Sequence, residues 1–134
     1  SFFPYHRQEI WETLNKINDE IKPDIVFTQE EDDHQDHTVL AQETRRNFRY
    51  SSVIRYTVMR SCMGFMPNLF VTLSNADMEA KIKALGHYSM YKNKNFFRPE
   101  NVEAQLRASG VYLDEEFVEA FQVEKMLLKH DQNF

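Results

Sequence analysis

The stretch that most constrains this chain is Pro23-Asp24-Ile25-Val26-Phe27-Thr28-Gln29-Glu30-Glu31-Asp32-Asp33-His34-Gln35-Asp36-His37. Ile25-Val26-Phe27 is an unbroken β-branched and aromatic run, the pattern of a strand buried on both faces in a parallel sheet. After Thr28 no apolar residue returns until Val39. The intervening segment is a polar loop crowded with carboxylates and two histidines. In open α/β sheets ligands bind beyond the carboxyl ends of the strands, where this loop would lie. Neutral imidazoles are nitrogen donors near pH 7, and neighbouring carboxylates can orient their rings. The residue types therefore suit a metal or proton-transfer site. The bland alternative is a solvated acidic turn with two histidines three apart by chance. Placement between a buried-type strand and a helix favours the functional reading.

The 134 residues fit one α/β domain with a modest core, supplied by 42% hydrophobic residues including 11 Phe. Sixteen basic against 21 acidic residues give a formal charge of −5, which argues against nucleic acid or an anionic membrane as the main partner. The single cysteine, Cys62, leaves no internal disulfide and fits a reducing, cytoplasmic setting. No run approaches the roughly 20 apolar residues of a membrane span, and no signal peptide is expected ahead of the first helix. With 3 Gly and 4 Pro the chain has few of the turn residues of a complete α/β domain. It reads as part of something longer.

Helix and strand alternate along the chain. Ile10, Leu14, Ile17 and Ile21 mark one apolar face of a helix over 6–22, which Pro23 ends. A strand over 24–28 leads through the acidic loop into a helix over about 36–49, with Asp36 of suitable N-cap type. Strands are expected over 51–58 and 69–73. Ser74 and Asp77 form a helix start signal for a helix reaching about Tyr91, with Met78, Ile82 and Leu85 inward. Pro99 sits in the first turn of a further helix that ends near Gly110, and Phe117 to Val123 reads as a strand. Lys129 to Phe134 reads as a frayed tail. The order argues for a layered α/β sheet with right-handed crossovers.

Several segments, in order, resemble one family. Phe3-Pro4-Tyr5-His6-Arg7-Gln8-Glu9-Ile10 is similar to its helix entrance. Pro23-Asp24-Ile25-Val26-Phe27-Thr28 and Asp33-His34-Gln35-Asp36-His37 resemble its strand and His-x-Asp-His motif. Met59-Arg60-Ser61, Met66-Pro67-Asn68-Leu69-Phe70-Val71, Lys81 and Val118-Glu119-Ala120-Phe121 follow in the family's order. The family is that of the zinc-dependent N-acetylglucosaminyl-phosphatidylinositol de-N-acetylase-like (PIG-L/LmbE-like) deacetylases, and the resemblance is to its C-terminal part.

The resemblance implies a Rossmann-like three-layer sandwich with a mostly parallel sheet, incomplete at its N-terminus. It implies an enzyme that hydrolyses the acetamide of an N-acetylated, sugar-like small molecule with zinc as cofactor. By the family pattern His37 is a zinc ligand. His34 faces the scissile carbonyl as electrostatic stabiliser or general acid, with Asp36 holding its ring. Asp33 and Arg60 are the substrate-binding candidates. The chemistry is coherent, since amide hydrolysis needs a Lewis acid for the carbonyl and an acid for the departing amine. The family's other two zinc ligands and its general base come from an Ala-His-Pro-Asp-Asp-like motif. No His-Pro-Asp-Asp occurs in residues 1–134. Because a catalytic zinc takes three protein ligands plus water, these residues alone are expected to be inactive.

Other candidates have blander readings. An ion pair is as good an account of Arg60 as substrate contact. Glu119, in a β-type run, needs a partner if buried. His6, His87 and His130 read as packed or solvated side chains, and Cys62 as an inert thiol. For Tyr88, Tyr91, Phe96 and Phe97, core or a homo-oligomer contact stands ahead of a sugar platform. The rival to the enzyme is a non-catalytic α/β binding or interaction domain. A nucleotide-binding domain is disfavoured, since no Gly-x-Gly-x-x-Gly exists.

Overall fold

The computed structural model describes residues 2–130. It is a mixed α/β fold whose four strands hydrogen-bond in the order β1-β2-β4-β3. The strands are β1 (Ile25–Gln29), β2 (Ser52–Tyr56), β3 (Leu69–Thr72) and β4 (Val118–Lys125). The helices are α1 (Arg7–Ile21), α2 (Gln35–Asn47), α3 (Asn75–Leu85) and α4 (Pro99–Gly110). Contacts gather the chain into two compact units, residues 67–120 and the remainder, with β4 passing through both.

In the first unit, α1 follows a 3-10 turn over Phe3–His6. It ends where Lys22 takes a left-handed conformation (φ 49°) and donates its N–H to the Asn18 carbonyl at 2.8 Å. Pro23 follows and cannot continue the helix. β1 pairs with β2 in parallel, from Ile25 opposite Ser52 to Gln29 opposite Tyr56. β2 pairs with β4 antiparallel, with Ile54 opposite Val123 and an irregularity between Val53 and Ile54. α2 is the crossover between the parallel strands. Its buried Thr44 meets buried Thr28 of β1, Oγ1 to Oγ1 at 3.4 Å. Val39, Ala41, Phe48, Val53 and Ile54 make the core here.

Two expectations about this unit are corrected. β1 is not buried on both faces: Ile25 and Phe27 are 51% and 55% exposed. The strand ends the sheet order, so one long edge has no described strand beside it. The apolar stripe of α1 exists as the spacing says, but no residue of the helix is buried: Ile10 and Leu14 are half-buried near Leu40 of α2, and Ile17 and Ile21 stand 38% and 67% exposed.

In the second unit, the Ser74–Asp77 capping box forms as expected. The Ser74 Oγ accepts from the Asp77 N–H at 3.2 Å, and the Asp77 carboxylate accepts from the Ser74 N–H at 2.9 Å. α3 is shorter than expected, ending at Leu85 before Gly86, and a 3-10 turn covers Ser89–Tyr91. Met78, Ile82 and Leu85 are half-buried rather than fully inward. α4 begins with Pro99 and buries Val102, Leu106 and Gly110. A Cβ on Gly110 would stand 2.1 Å from the Glu115 carbonyl oxygen, so only glycine fits that close approach. Phe117 and Val118 complete the core, with the Arg107 guanidinium 4.5 Å over the Phe117 ring. Glu119 finds its partner in Lys81, with which it forms an ion pair.

Candidate functional site

The turn after β1 is shaped by Asp32, whose side chain is only 1% exposed. One carboxylate oxygen accepts the His34 backbone N–H at 2.8 Å, a local turn of the Asx type. The other oxygen accepts from Ser61 Oγ at 2.7 Å and lies 2.8 Å from His37 Nδ1. The Asp33 N–H donates to the Ser61 carbonyl at 3.1 Å, fastening the loop to the turn after β2. Burial works to raise the Asp32 pKa, but the hydrogen bonds from His37, the His34 N–H and Ser61 outweigh it. The carboxyl therefore sits below its ordinary value and is an anion at neutral pH.

His34 is the N-cap of α2, a position expected for Asp36. Its Nδ1 accepts the Asp36 N–H at 3.2 Å. The reason is local: the turn held by Asp32 brings the imidazole over the first helical N–H groups, which have no partner within the helix. The Asp36 carboxylate accepts the Phe3 N–H at 2.9 Å, which links the start of the chain to the start of α2. One helical turn brings the rings of His34 and His37 together, stacked with centroids 4.5 Å apart and planes 19° from parallel.

The two rings are held by opposite means. A nitrogen that accepts a hydrogen bond carries no proton, so neutral His34 holds its proton on Nε2 and presents a donor there. A carboxylate only accepts, so His37 carries its proton on Nδ1 and presents the Nε2 lone pair. Side by side stand a potential metal ligand backed by a carboxylate and a potential proton donor.

Asp32 also borders a cleft of about 530 Å³, lined by Glu30, Glu31, Asp33, Arg55, Ser61, Met63 and neighbours. Arg55, 8% exposed, bonds Glu30 and grips Glu124 through two nitrogens at 2.9 and 2.8 Å. Arg45 joins Glu124 and Glu31, the latter at 2.7 Å. These pairs hold Glu124 and Glu31 below the ordinary carboxylate range although burial raises both.

Of the residues singled out by sequence, His34, Asp36 and His37 come together at the start of α2, but only Asp33 lines the cleft. Arg60 is exposed in the turn after β2. Asp32, Ser61 and Arg55 were not singled out. Asp32 is one of four consecutive carboxylates, and its distinguishing partner lies 29 residues away. Tyr88, Tyr91, Phe96 and Phe97 touch one another, with Tyr91 and Phe97 stacked at 5.2 Å, but none is buried and Tyr88 is 57% exposed. His6 pairs with Glu9 at 2.9 Å. Among the described residues no three His, Cys, Asp or Glu side chains converge to hold a metal ion. No helix among them is long and apolar enough to cross a membrane.

No family model matches the chain, and no curated protein matches it. Among solved structures it is similar to the conserved protein TT1542 from Thermus thermophilus, with a TM-score of 0.67 and 22% identity. That match covers 97% of this chain and 63% of the Thermus chain, so the present sequence spans less than two thirds of that protein's length. At such identity the likeness establishes a shared fold and nothing about activity.

Proposed function

We propose that the chain is the C-terminal part of a zinc-dependent N-deacetylase acting on an N-acetylated, sugar-like small molecule, with the Rossmann-like architecture of the PIG-L/LmbE-like enzymes. The observation that carries this reading is the complementary fixing of two stacked imidazoles. Asp32 engages His37 Nδ1, leaving Nε2 of the neutral ring as a lone pair, and the Asp36 N–H engages His34 Nδ1, leaving its Nε2 as a donor.

The donor set fits one position of a zinc shell. A neutral imidazole with its far nitrogen on a carboxylate is the usual form of a histidine ligand. The remaining ligands would come from outside residues 1–134, since a catalytic zinc takes three. When bound, zinc would supply Lewis-acid polarisation of the acetamide carbonyl. His37 holds its Nε2 in place through Asp32. His34, neutral with its Nδ1 occupied by the Asp36 N–H, would donate a hydrogen bond from Nε2 to the carbonyl oxygen as charge develops there. Asp33, on the cleft wall, and Arg60, exposed in the turn after β2, would meet the hydroxyls and charge of the substrate.

The test is a pair of variants in the natural full-length protein. His37→Ala should lose both zinc and acetate release. His34→Asn, which keeps a capping side chain, should retain zinc and slow turnover by about 10²–10³-fold, as for a lost donor to the developing oxyanion. Zinc loss from both variants would make His34 a ligand. Unchanged zinc and rate in both would leave a non-catalytic binding domain as the better account.

A further inference from the structure

The formal charge of −5 is not spread evenly along the chain. Residues 81–99 hold five of the 16 basic residues, Lys81, Lys83, Lys92, Lys94 and Arg98, and none of the 21 acidic ones. Lys81 is committed to Glu119. The other four are exposed, and among the described residues none of their side chains meets a carboxylate. Elsewhere Arg7, Arg45, Arg46, Arg55 and Arg107 each hold one. The net charge argues against an anionic partner only for the chain as an average. With a Debye length of about 8–10 Å at physiological salt, a partner senses the local patch.

The same segment carries apolar tips. Between α3 and α4 it folds into two 3-10 turns, Ser89–Tyr91 and Asn95–Phe97, with Lys92 and Lys94 between them. The Lys94 N–H donates to the Tyr91 carbonyl at 2.8 Å, and the Phe97 N–H donates to the Lys94 carbonyl at 3.0 Å, so both turns are fastened at this lysine. Tyr91 and Phe97 stack, and Tyr88 and Phe96 meet Phe97 edge-on at 5.8 and 5.1 Å. The rings spend faces and edges on one another, forming a knob rather than a row of open faces on which bases could stack. Met90, 77% exposed, protrudes beside Tyr88. Apolar and amphipathic tips among unpaired cations suit a membrane–water interface. Hydrocarbon takes the tip, while the tyrosine hydroxyl and the lysine ammonium groups reach the headgroups.

We propose that residues 83–98 form a peripheral docking surface for a lipid leaflet with anionic headgroups, Met90 and Tyr88 entering the interface while Lys83, Lys92, Lys94 and Arg98 meet phosphate. Such a contact needs no membrane-crossing helix, and it stands whether or not the histidine site is a deacetylase. The test is co-sedimentation of the natural full-length protein with phosphatidylcholine vesicles, plain or with about a third phosphatidylserine. The protein should bind the anionic vesicles alone, and less as salt rises. Lys92→Gln with Lys94→Gln should weaken binding by about 25-fold, at about fivefold for each cation near the surface. Met90→Ser should weaken it by about tenfold with the salt dependence unchanged. All three side chains are exposed, so circular dichroism should match the parent protein. No binding, equal binding to both vesicle types, or binding that either variant leaves unaltered would overturn the proposal. A single-stranded oligonucleotide that strips the protein from vesicles at equal phosphate concentration would also overturn it, by making nucleic acid the occupant.

Discussion

At the scale of single residues, Asp32 organises the site. Its carboxylate receives three donors while almost wholly enclosed, so its charge is fully engaged by the loop it shapes. Asp32→Asn replaces one acceptor oxygen with an NH₂ that must face Ser61 and His37 or turn away. If His37 ligates zinc, the variant should weaken zinc binding by about 10–100-fold, the usual effect of losing a carboxylate behind a histidine ligand. A competition titration with a chromogenic chelator measures this directly. Unaltered affinity would separate Asp32 from the metal.

The same carboxylate makes a pH prediction. Asp32, Glu31 and Glu124 all have folded pKa values below their ordinary ones. A depressed carboxylate binds fewer protons folded than unfolded. Its stabilisation is therefore present above the ordinary carboxylate range, about pH 4, and is lost as pH falls through the folded value. The urea midpoint should accordingly hold steady from pH 7 to about pH 5 and then fall. In Asp32→Asn the fall should be shallower, because one contributor has been removed.

At the scale of elements, α2 depends on an unusual cap. His34→Ala removes the acceptor over the Asp36 N–H and should destabilise the fold by about 0.5–2 kcal/mol, whereas His34→Asn should restore nearly all of it. Thermal melts by circular dichroism compare the two. Equal losses would show that the imidazole acts by packing on His37 rather than by capping. Arg55 poses a harder case. Removing it in Arg55→Ala leaves Glu30 and Glu124, 12% and 19% exposed at their side chains, without their shared cation. Urea unfolding should show a loss of about 3–5 kcal/mol, the usual penalty for breaking an enclosed ion pair.

What was legible in the sequence follows the range of each interaction. The Ser74–Asp77 box and the Pro99 start of α4 were legible because their chemistry spans one helical turn. The His34–His37 pairing was legible for the same reason. The cap of α2 was not, because a histidine becomes an N-cap only when a separate turn, here Asp32's, aims its ring. Arg55 was missed because its partner Glu124 is 69 residues away. The run Ile25-Val26-Phe27 told of a strand apolar on both faces, and that strand stands at the end of the described sheet order.

At the scale of the whole molecule, the fold is mixed α/β, with a parallel pair carrying the histidine loop and an antiparallel strand, β4, bracing it through Arg55 and Arg45. This bracing ties the loop after β1 to α2, β2 and β4, the support that the proposed donor and metal ligand would need. The central claim is metal-dependent amide hydrolysis, and one measurement reaches it. Acetate release from a panel of N-acetylated aminosugars, N-acetylglucosamine among them, should be followed with the natural full-length protein as purified, after chelation, and after zinc is returned. The account predicts release that disappears with the metal and returns with it. Release that persists after chelation, or none across the panel from zinc-loaded protein, would contradict it.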